Sequence, residues 1–271
     1  MILALRKPLA FIVRDFIDDT SYKLAFALNF TNIFFDLFIF YGISLLVGDA
    51  ATAHLEVSNG DYFTFALVGV GFNRFFATTL TELRRFIRDA QLNGTLEVLL
   101  STQTNILTTI FSSMLYPIFQ IGIQVSVLFL AGFLLFDVNI FWTNLPVALV
   151  VLLLSLVSFT SIGLMSAGFI VIVKRGDPVT TIFSLTGRLL SGEMYPVSVL
   201  PMWLQFISAL LPMTWALRAL RLALLQGYSL SQLLPNLLIL LIFGLILVPT
   251  SIVFFNWAIK RAKRDGSLSQ Y

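Results

Sequence analysis

Five stretches of this chain are built almost wholly of apolar side chains: Leu24–Val47, Tyr62–Leu83, Ile106–Phe136, Leu145–Val173 and Leu237–Ile259. A helix rises about 1.5 Å per residue, so about 20 apolar residues cross the roughly 30 Å of bilayer hydrocarbon. All five reach that length. Hydrocarbon offers no water to backbone N–H and C=O groups, and a helix satisfies both internally. The whole chain is 58% hydrophobic and 11% charged, against about 45–50% and 25% for soluble domains. An all-α, polytopic membrane protein is the fold class this implies, and an ordinary soluble domain is excluded.

The basic residues give the topology its sides. With the N-terminus in the cytoplasm, Arg6, Lys7, Arg14 and Lys23 precede the first span. Arg84, Arg85 and Arg88 follow the second, Lys174 and Arg175 the fourth, and Lys260, Arg261, Lys263 and Arg264 the last. Thirteen of the 17 Lys and Arg residues then face inward, while the loops Gly48–Asp61 and Asp137–Asn144 carry none. Such a bias sets orientation in membranes and requires an even number of crossings. The net charge of +3 is therefore a product of sidedness and not a nucleic-acid footprint.

Val179–Gln226 is apolar but interrupted by Gly187, Gly192, Pro196, Pro201 and Pro212. Parity allows it one crossing. Val179–Gly192 supplies a short fifth span. Tyr195–Gln226 is expected to be a re-entrant helical hairpin on the outer side, turning near Leu211-Pro212. Six spans result. The chain divides into an interfacial helix (1–23), spans 1–2 (24–83), a cytoplasmic element (84–105), spans 3–5 (106–192), an outer re-entrant region (193–234), span 6 (235–259) and a cytoplasmic tail (260–271).

Leu5, Leu9, Ile12, Val13, Phe16 and Ile17 recur at helical spacing before the first span, with Arg14, Asp15, Asp18 and Asp19 elsewhere on the wheel. That is the pattern of an amphipathic helix lying in the membrane interface. Glu82–Asn105 has its own stripes, Leu83, Phe86, Ile87 and Ala90, then Leu96, Leu99 and Leu100. Asn93-Gly94 separates them, because glycine readily takes the positive φ of a turn. Thr95 is expected to cap a second short helix, with Glu97 in its first turn where the helix dipole favours an anion. The segment reads as two short cytoplasmic helices joined by a kink.

Several polar groups fall at membrane depth, where they are costly and mark function by default. Asn29, Asn32 and Asp36 share one face of the first span. They read either as a path or interface lining or as one side of an interhelical hydrogen bond, with Arg74 or Arg188 as partner. Asn73 and Arg74 lie in the second span. Gln120 and Gln124 stack at i, i+4 in the third, as helix glue or as path lining. Arg188, Glu193, Arg218 and Arg221 flank the re-entrant region, and an ion pair to Glu193 would hold an outer gate.

No cysteine and a single histidine, His54, exclude disulfides, thiolate metal sites and thiol nucleophiles, and disfavour a membrane enzyme. No GxxxxGK[ST] phosphate loop is present.

The run Gly94-Thr95-Leu96-Glu97-x-Leu99-Leu100, after the charged stretch Arg84–Gln91, resembles the cytoplasmic signature of type-2 ABC exporter permeases. Ser191-Gly192 followed by Tyr195-Pro196, Leu200-Pro201, Leu211-Pro212 and Arg218-Ala219-Leu220-Arg221 resembles that family's outer re-entrant region. Gln103 stands where many members carry proline. The resemblance implies a permease whose ATP and Mg are bound by a separate ATPase subunit. It places coupling on Arg88, Gly94, Thr95, Leu96 and Glu97, and it implies a homodimer in a bacterial inner membrane with both termini cytoplasmic. A stand-alone secondary transporter or channel is the alternative.

Overall fold

The computed structural model describes residues 2–47, 61–173 and 177–265; within the first range, side chains 8–24, 28 and 30–47 are described. The side chains of Arg6, Lys7 and Asn29, the loop 48–60 with His54, Lys174 and Arg175, and the tail from 266 lie outside what is described.

Eleven α-helices are found among them, with no strand. They are α1 (Ile2–Ser21), α2 (Lys23–Val47), α3 (Tyr62–Leu92), α4 (Leu96–Ser101), α5 (Ile106–Ser113) and α6 (Leu115–Phe136), then α7 (Leu145–Val173), α8 (Pro178–Leu190), α9 (Met202–Ala209), α10 (Pro212–Gln226) and α11 (Leu234–Arg264). Five segments are long and apolar enough to cross a membrane, and α9 with α10, bent by 90°, would bring the number to six. The bend falls at Leu210-Leu211, just before Pro212, whose fixed φ suits the first turn of a new helix but not the middle of an old one. α8 has 13 residues, about 20 Å of helix and short of a full span.

The expected third span, Ile106–Phe136, is one apolar segment long enough to cross, and within it the helix is interrupted at Met114, between α5 and α6. Pro117 causes this, since it has no N–H to donate to Ser113 and its ring clashes with the carbonyl four residues back. One expectation is corrected: α3 continues without interruption to Leu92, about 46 Å in all, so what reads as a separate first cytoplasmic helix is a continuation of α3.

α3 is the most enclosed of the spanning helices and α2 the least. α3 packs on α7, α6, α10 and α2, and α7 in turn on α11. Small side chains on α7, namely Ser155, Ser158, Ser161, Ser166 and Ala167, are buried. They let backbones approach closely where lipid gives no hydrophobic drive. One apolar core centres on Phe72, Phe76 and Phe159. A second core, at the end of the bundle that carries Arg84–Arg88, joins Leu83 and Ile87 of α3 to Leu96, Ile110, Leu164 and Phe255.

At the opposite end, the turn before α7 closes α10. Phe141 N–H donates to Leu224 O at 2.8 Å. The Asn144 amide donates to Ala223 O and Tyr228 O, both at 3.1 Å. The last carbonyls of a helix lack partners within it, and this loop supplies them.

Candidate functional site

The turn that follows α3 is built as the sequence suggests at one residue and differently at the next. Gly94 has φ +66°, and nothing lies within 4 Å of where a Cβ would sit. Backbone conformation, not space, selects glycine there. Thr95, expected as an N-cap, instead has helical φ and ψ and makes no side-chain cap. Its hydroxyl turns back and donates to Ala90 O at 3.3 Å, beside its own N–H bond to the same oxygen at 2.9 Å. The tight turn pulls Thr95 into the preceding helix's carbonyls and away from the first N–H groups of α4.

Leu96 is fully buried in the second core, and Leu99 and Leu100 pack on that core's edge. Glu97 and Val98 are exposed and Arg88 is half-buried. The six-residue α4 is thus pinned by one side chain and presents Glu97 and Val98 outward. Ser101 and Thr102 hydroxyls donate to Val98 O and Leu99 O, both at 2.8 Å, and Asn105 accepts from Leu107 N–H at 3.0 Å to start α5.

Asp36 and Arg74 are joined between α2 and α3. Arg74 Nη2 and Nε donate to Asp36 Oδ2 at 2.5 and 3.0 Å. Of the two partners the sequence allowed, the structure chooses Arg74. Asn32, one turn earlier, is exposed.

Arg221 is the most enclosed cation described, 5% exposed. From α10 it donates to Gly192 O at 2.6 Å, Glu193 O at 2.9 Å and Phe65 O at 3.1 Å, with its guanidinium 3.4 Å from the centre of the Phe65 ring. The expected ion-pair gate takes another form. Arg221 holds the backbone oxygen of Glu193, while the buried Glu193 carboxylate makes no salt bridge and feels the charges of Arg188 and Arg221 from a distance. A planar guanidinium with five donors fits a cluster of carbonyls. Arg218 is exposed and lines a cavity with Arg221. A Cβ at Gly69 would collide with Glu193 O and fall 2.9 Å from Arg221 Nη2, so glycine is what lets the loop lie against α3.

Gln120 and Gln124 part company. Gln120 Nε2 donates to Asp19 Oδ2 at 2.6 Å, and the Tyr116 hydroxyl donates to the same oxygen at 2.7 Å. These bonds tie α1 to α6. Gln124 is buried and faces a polar cavity of about 550 Å³ shared with Asp15, Asp18, Glu82 and Arg85.

Asp177 is a residue the sequence reading passed over. Its carboxylate caps α8 through Thr180 N–H at 3.0 Å, accepts from the Ser166 hydroxyl of α7 at 2.7 Å, and lies 3.4 Å from Arg84 Nε of α3. The signal was present as Asp177-Pro178, an N-cap residue followed by proline at the first helical position.

Residues 10–225 match the family model described as ABC-2 type transporter. The chain is also 28% identical over 173 residues to the linearmycin resistance permease protein LnrN of Bacillus subtilis (strain 168). That alignment covers 64% of this chain and 44% of the relative, so the chain spans less than half of the protein it matches. With its helical bundle, its bent α9–α10 pair and a family match over most of its length, this chain belongs to the ABC-2 type transporter family.

Proposed function

We propose that this chain is the membrane subunit of an ATP-driven exporter. A separate ATP-binding-cassette subunit binds ATP and Mg, hydrolyses the ATP and pushes on the segment from Arg88 to Glu97. The observation that carries this reading is the placement of α4. Leu96 is buried in a core shared by α3, α5, α7 and α11, while Glu97 and Val98 beside it face outward. Force delivered to that exposed face reaches four helices through one socket. An isolated six-residue helix has almost no stability of its own, so α4 acts through what Leu96 holds.

In this reading the basic end of the bundle is cytoplasmic, both termini included, and the membrane is a bacterial inner membrane. Two copies form the path between them. The poorly covered α2, with Phe34, Phe35 and Phe38 exposed, is left to lipid or to that second copy. α1, whose Leu9, Val13, Phe16 and Ile17 are exposed, lies in the interface. Asp36, Arg74 and Gln124 are the polar groups assigned to the path. The relative's name, a resistance permease, supports outward transport of a harmful compound.

The test is co-purification and vesicle transport. The tagged chain is expected to bring down an ATPase with a phosphate loop, and inside-out vesicles are expected to accumulate cargo only with ATP. Glu97→Arg should abolish that accumulation at normal protein level. A chain that transports without any ATPase would instead be a secondary transporter or channel.

A further inference from the structure

The polar cavity that Gln124 faces, of about 550 Å³, lies between α1, α3 and α6 at the end of the bundle that carries Arg84–Arg88. Small-molecule sites have volumes of about 300–1,000 Å³. Four carboxylates line it, Asp15, Asp18, Asp19 and Glu82, against one guanidinium, Arg85.

Two of the four are answered by a cation and two are not. Asp15 pairs with Arg14 at 2.6 Å and Glu82 with Arg85 at 2.7 Å. Asp18 is exposed and is in no ion pair among the described residues. Asp19 receives neutral donors, the Tyr116 hydroxyl at 2.7 Å and the Gln120 amide at 2.6 Å. A hydrogen bond from a neutral group leaves the charge in place. The cavity therefore keeps a negative surplus even with Arg14 counted.

Its other polar groups lean the same way. The Tyr116 and Thr81 hydroxyls spend their protons on Asp19 and on Ala77 O, and a hydroxyl whose proton is engaged is left as an acceptor. Gln124 is 9% exposed, and its side chain bonds to no described residue. It lines the cavity, and its amide atoms, unlike the enclosed oxygen of Gln91, keep accessible surface there. A polar side chain placed so deeply calls for a partner, and its oxygen is a further acceptor facing the space that the carboxylates surround.

Among the described residues, no three acidic side chains converge closely enough to hold a metal ion. The charge is spread around a volume and not focused on a point, which suits a molecule better than a bare ion. A zwitterionic lipid headgroup would bring its phosphate against the same carboxylates. The rings of Tyr22 and Tyr116 stand in the wall with Pro117 and Ile121, and aromatic faces attract cations.

We propose that this cavity binds a small organic cation, whose ammonium or guanidinium protons are accepted by Asp18, Asp19 and the Gln124 oxygen. Gln124 stands on the path of the exporter reading, so on that reading the proposal names the class of cargo. Binding needs no ATPase, and the two can fail separately.

The probe is dansylcadaverine, a primary ammonium on an apolar fluorophore. It is titrated at fixed ionic strength into the full-length protein in phosphatidylcholine nanodiscs and followed by fluorescence anisotropy. A saturable rise above that of empty nanodiscs is expected. The N-acetylated probe keeps the body and loses the charge. It should bind about ten-fold more weakly or worse, the loss of one charge-assisted hydrogen bond. Asp18→Asn should weaken the ammonium probe by about the same factor, and Asp18→Glu should retain it. Asp18 is exposed, so neither change disturbs packing. Gln124→Leu, close in volume, should weaken binding in the same direction. Asp265→Asn, an exposed carboxylate outside the cavity wall, should not. The proposal is overturned if the probe does not saturate, if the acetylated probe binds as well, or if Asp18→Asn and Gln124→Leu both bind as the parent does. Displacement by Mg²⁺ over the same concentration range as the probe would also overturn it. Saturable binding of the probe without its ATP-driven transport would count against the exporter reading and leave the site standing.

Discussion

Arg74 of α3 donates twice to Asp36 Oδ2 of α2, and five residues earlier Gly69 leaves room for Glu193 O of the loop after α8. Helical residues five apart point about 140° apart, so one short stretch of α3 meets a neighbouring span and the broken region on different sides. Phe65 O, one turn before Gly69, receives Arg221. The loop after α8 is thus held between α3 and α10, through Arg221, and by Gln205 of α9, which donates to Leu200 O.

The three-carbonyl grip of Arg221 predicts that Arg221→Lys is not conservative. An ammonium is a point charge and cannot span three oxygens in a plane. Stranding buried carbonyls costs about 1–3 kcal/mol each, so a loss of several degrees or more in thermal midpoint is expected in detergent. Gly69→Val, which drives a side chain into Glu193 O, should give the same defect. A midpoint unchanged in both variants would show that the loop is not held this way.

For Asp36 and Arg74 the informative measurement is a double-mutant cycle. Asp36→Asn or Arg74→Gln alone leaves a half-buried charge without its partner. The double variant removes both, and the difference should reveal a coupling of about 1–2 kcal/mol. If the two single effects simply add, the bond seen between α2 and α3 contributes nothing.

The proposed function predicts that coupling and stability separate at the adjacent residues Leu96 and Glu97. Leu96→Ala empties a filled socket and should destabilise by about 2–4 kcal/mol. Glu97→Arg changes an exposed side chain and should move stability by less than about 0.5 kcal/mol. Assays of ATPase stimulation by cargo should show the opposite order, with Glu97→Arg uncoupled and any Leu96→Ala protein that survives still coupled. Equal behaviour of the two variants in both assays would remove α4 from the transmission route.

Asp177 caps α8 and collects Ser166 and Arg84. Asp177→Ala should cost about 1–2 kcal/mol from the lost cap, and more where Arg84 is left without its anion. Asp177→Asn, which still accepts at the cap, should recover part of the loss in a thermal-shift assay. No difference between the alanine and asparagine variants would assign the residue to charge alone.

The helical membrane class, the break beside Pro212 and the turn at Gly94 were legible because each depends on local chemistry: apolar length, a missing N–H, a positive φ. The uninterrupted α3 was not. Arg84, Arg85 and Arg88 look like the start of a loop, but nothing in charged residues stops a helix, and only Asn93-Gly94 does. The break at Met114 was legible in principle from Pro117, three residues on. Partners were the hardest to read. Spans that are apolar on all sides carry no periodicity to show which face meets which neighbour. Asp36 therefore kept two candidate partners, and Gln120 gave no hint that it reaches Asp19. Arg221 was legible as important but not as a ligand of backbone oxygens, because carbonyls have no letter in a sequence.

The unbroken course of α3 has a mechanical meaning. Phe65, near one end, and Ile87, in the socket that holds Leu96, are 22 residues apart on one rod, about 33 Å along its axis. A helix without a break has no joint in which to absorb displacement. Tilting it at the α4 socket must swing the opposite end, where Arg221 and Glu193 are fastened, by a comparable distance in the other direction about whatever point stays fixed between them. The Arg74 bond to α2 lies between those ends, in the position of a fulcrum.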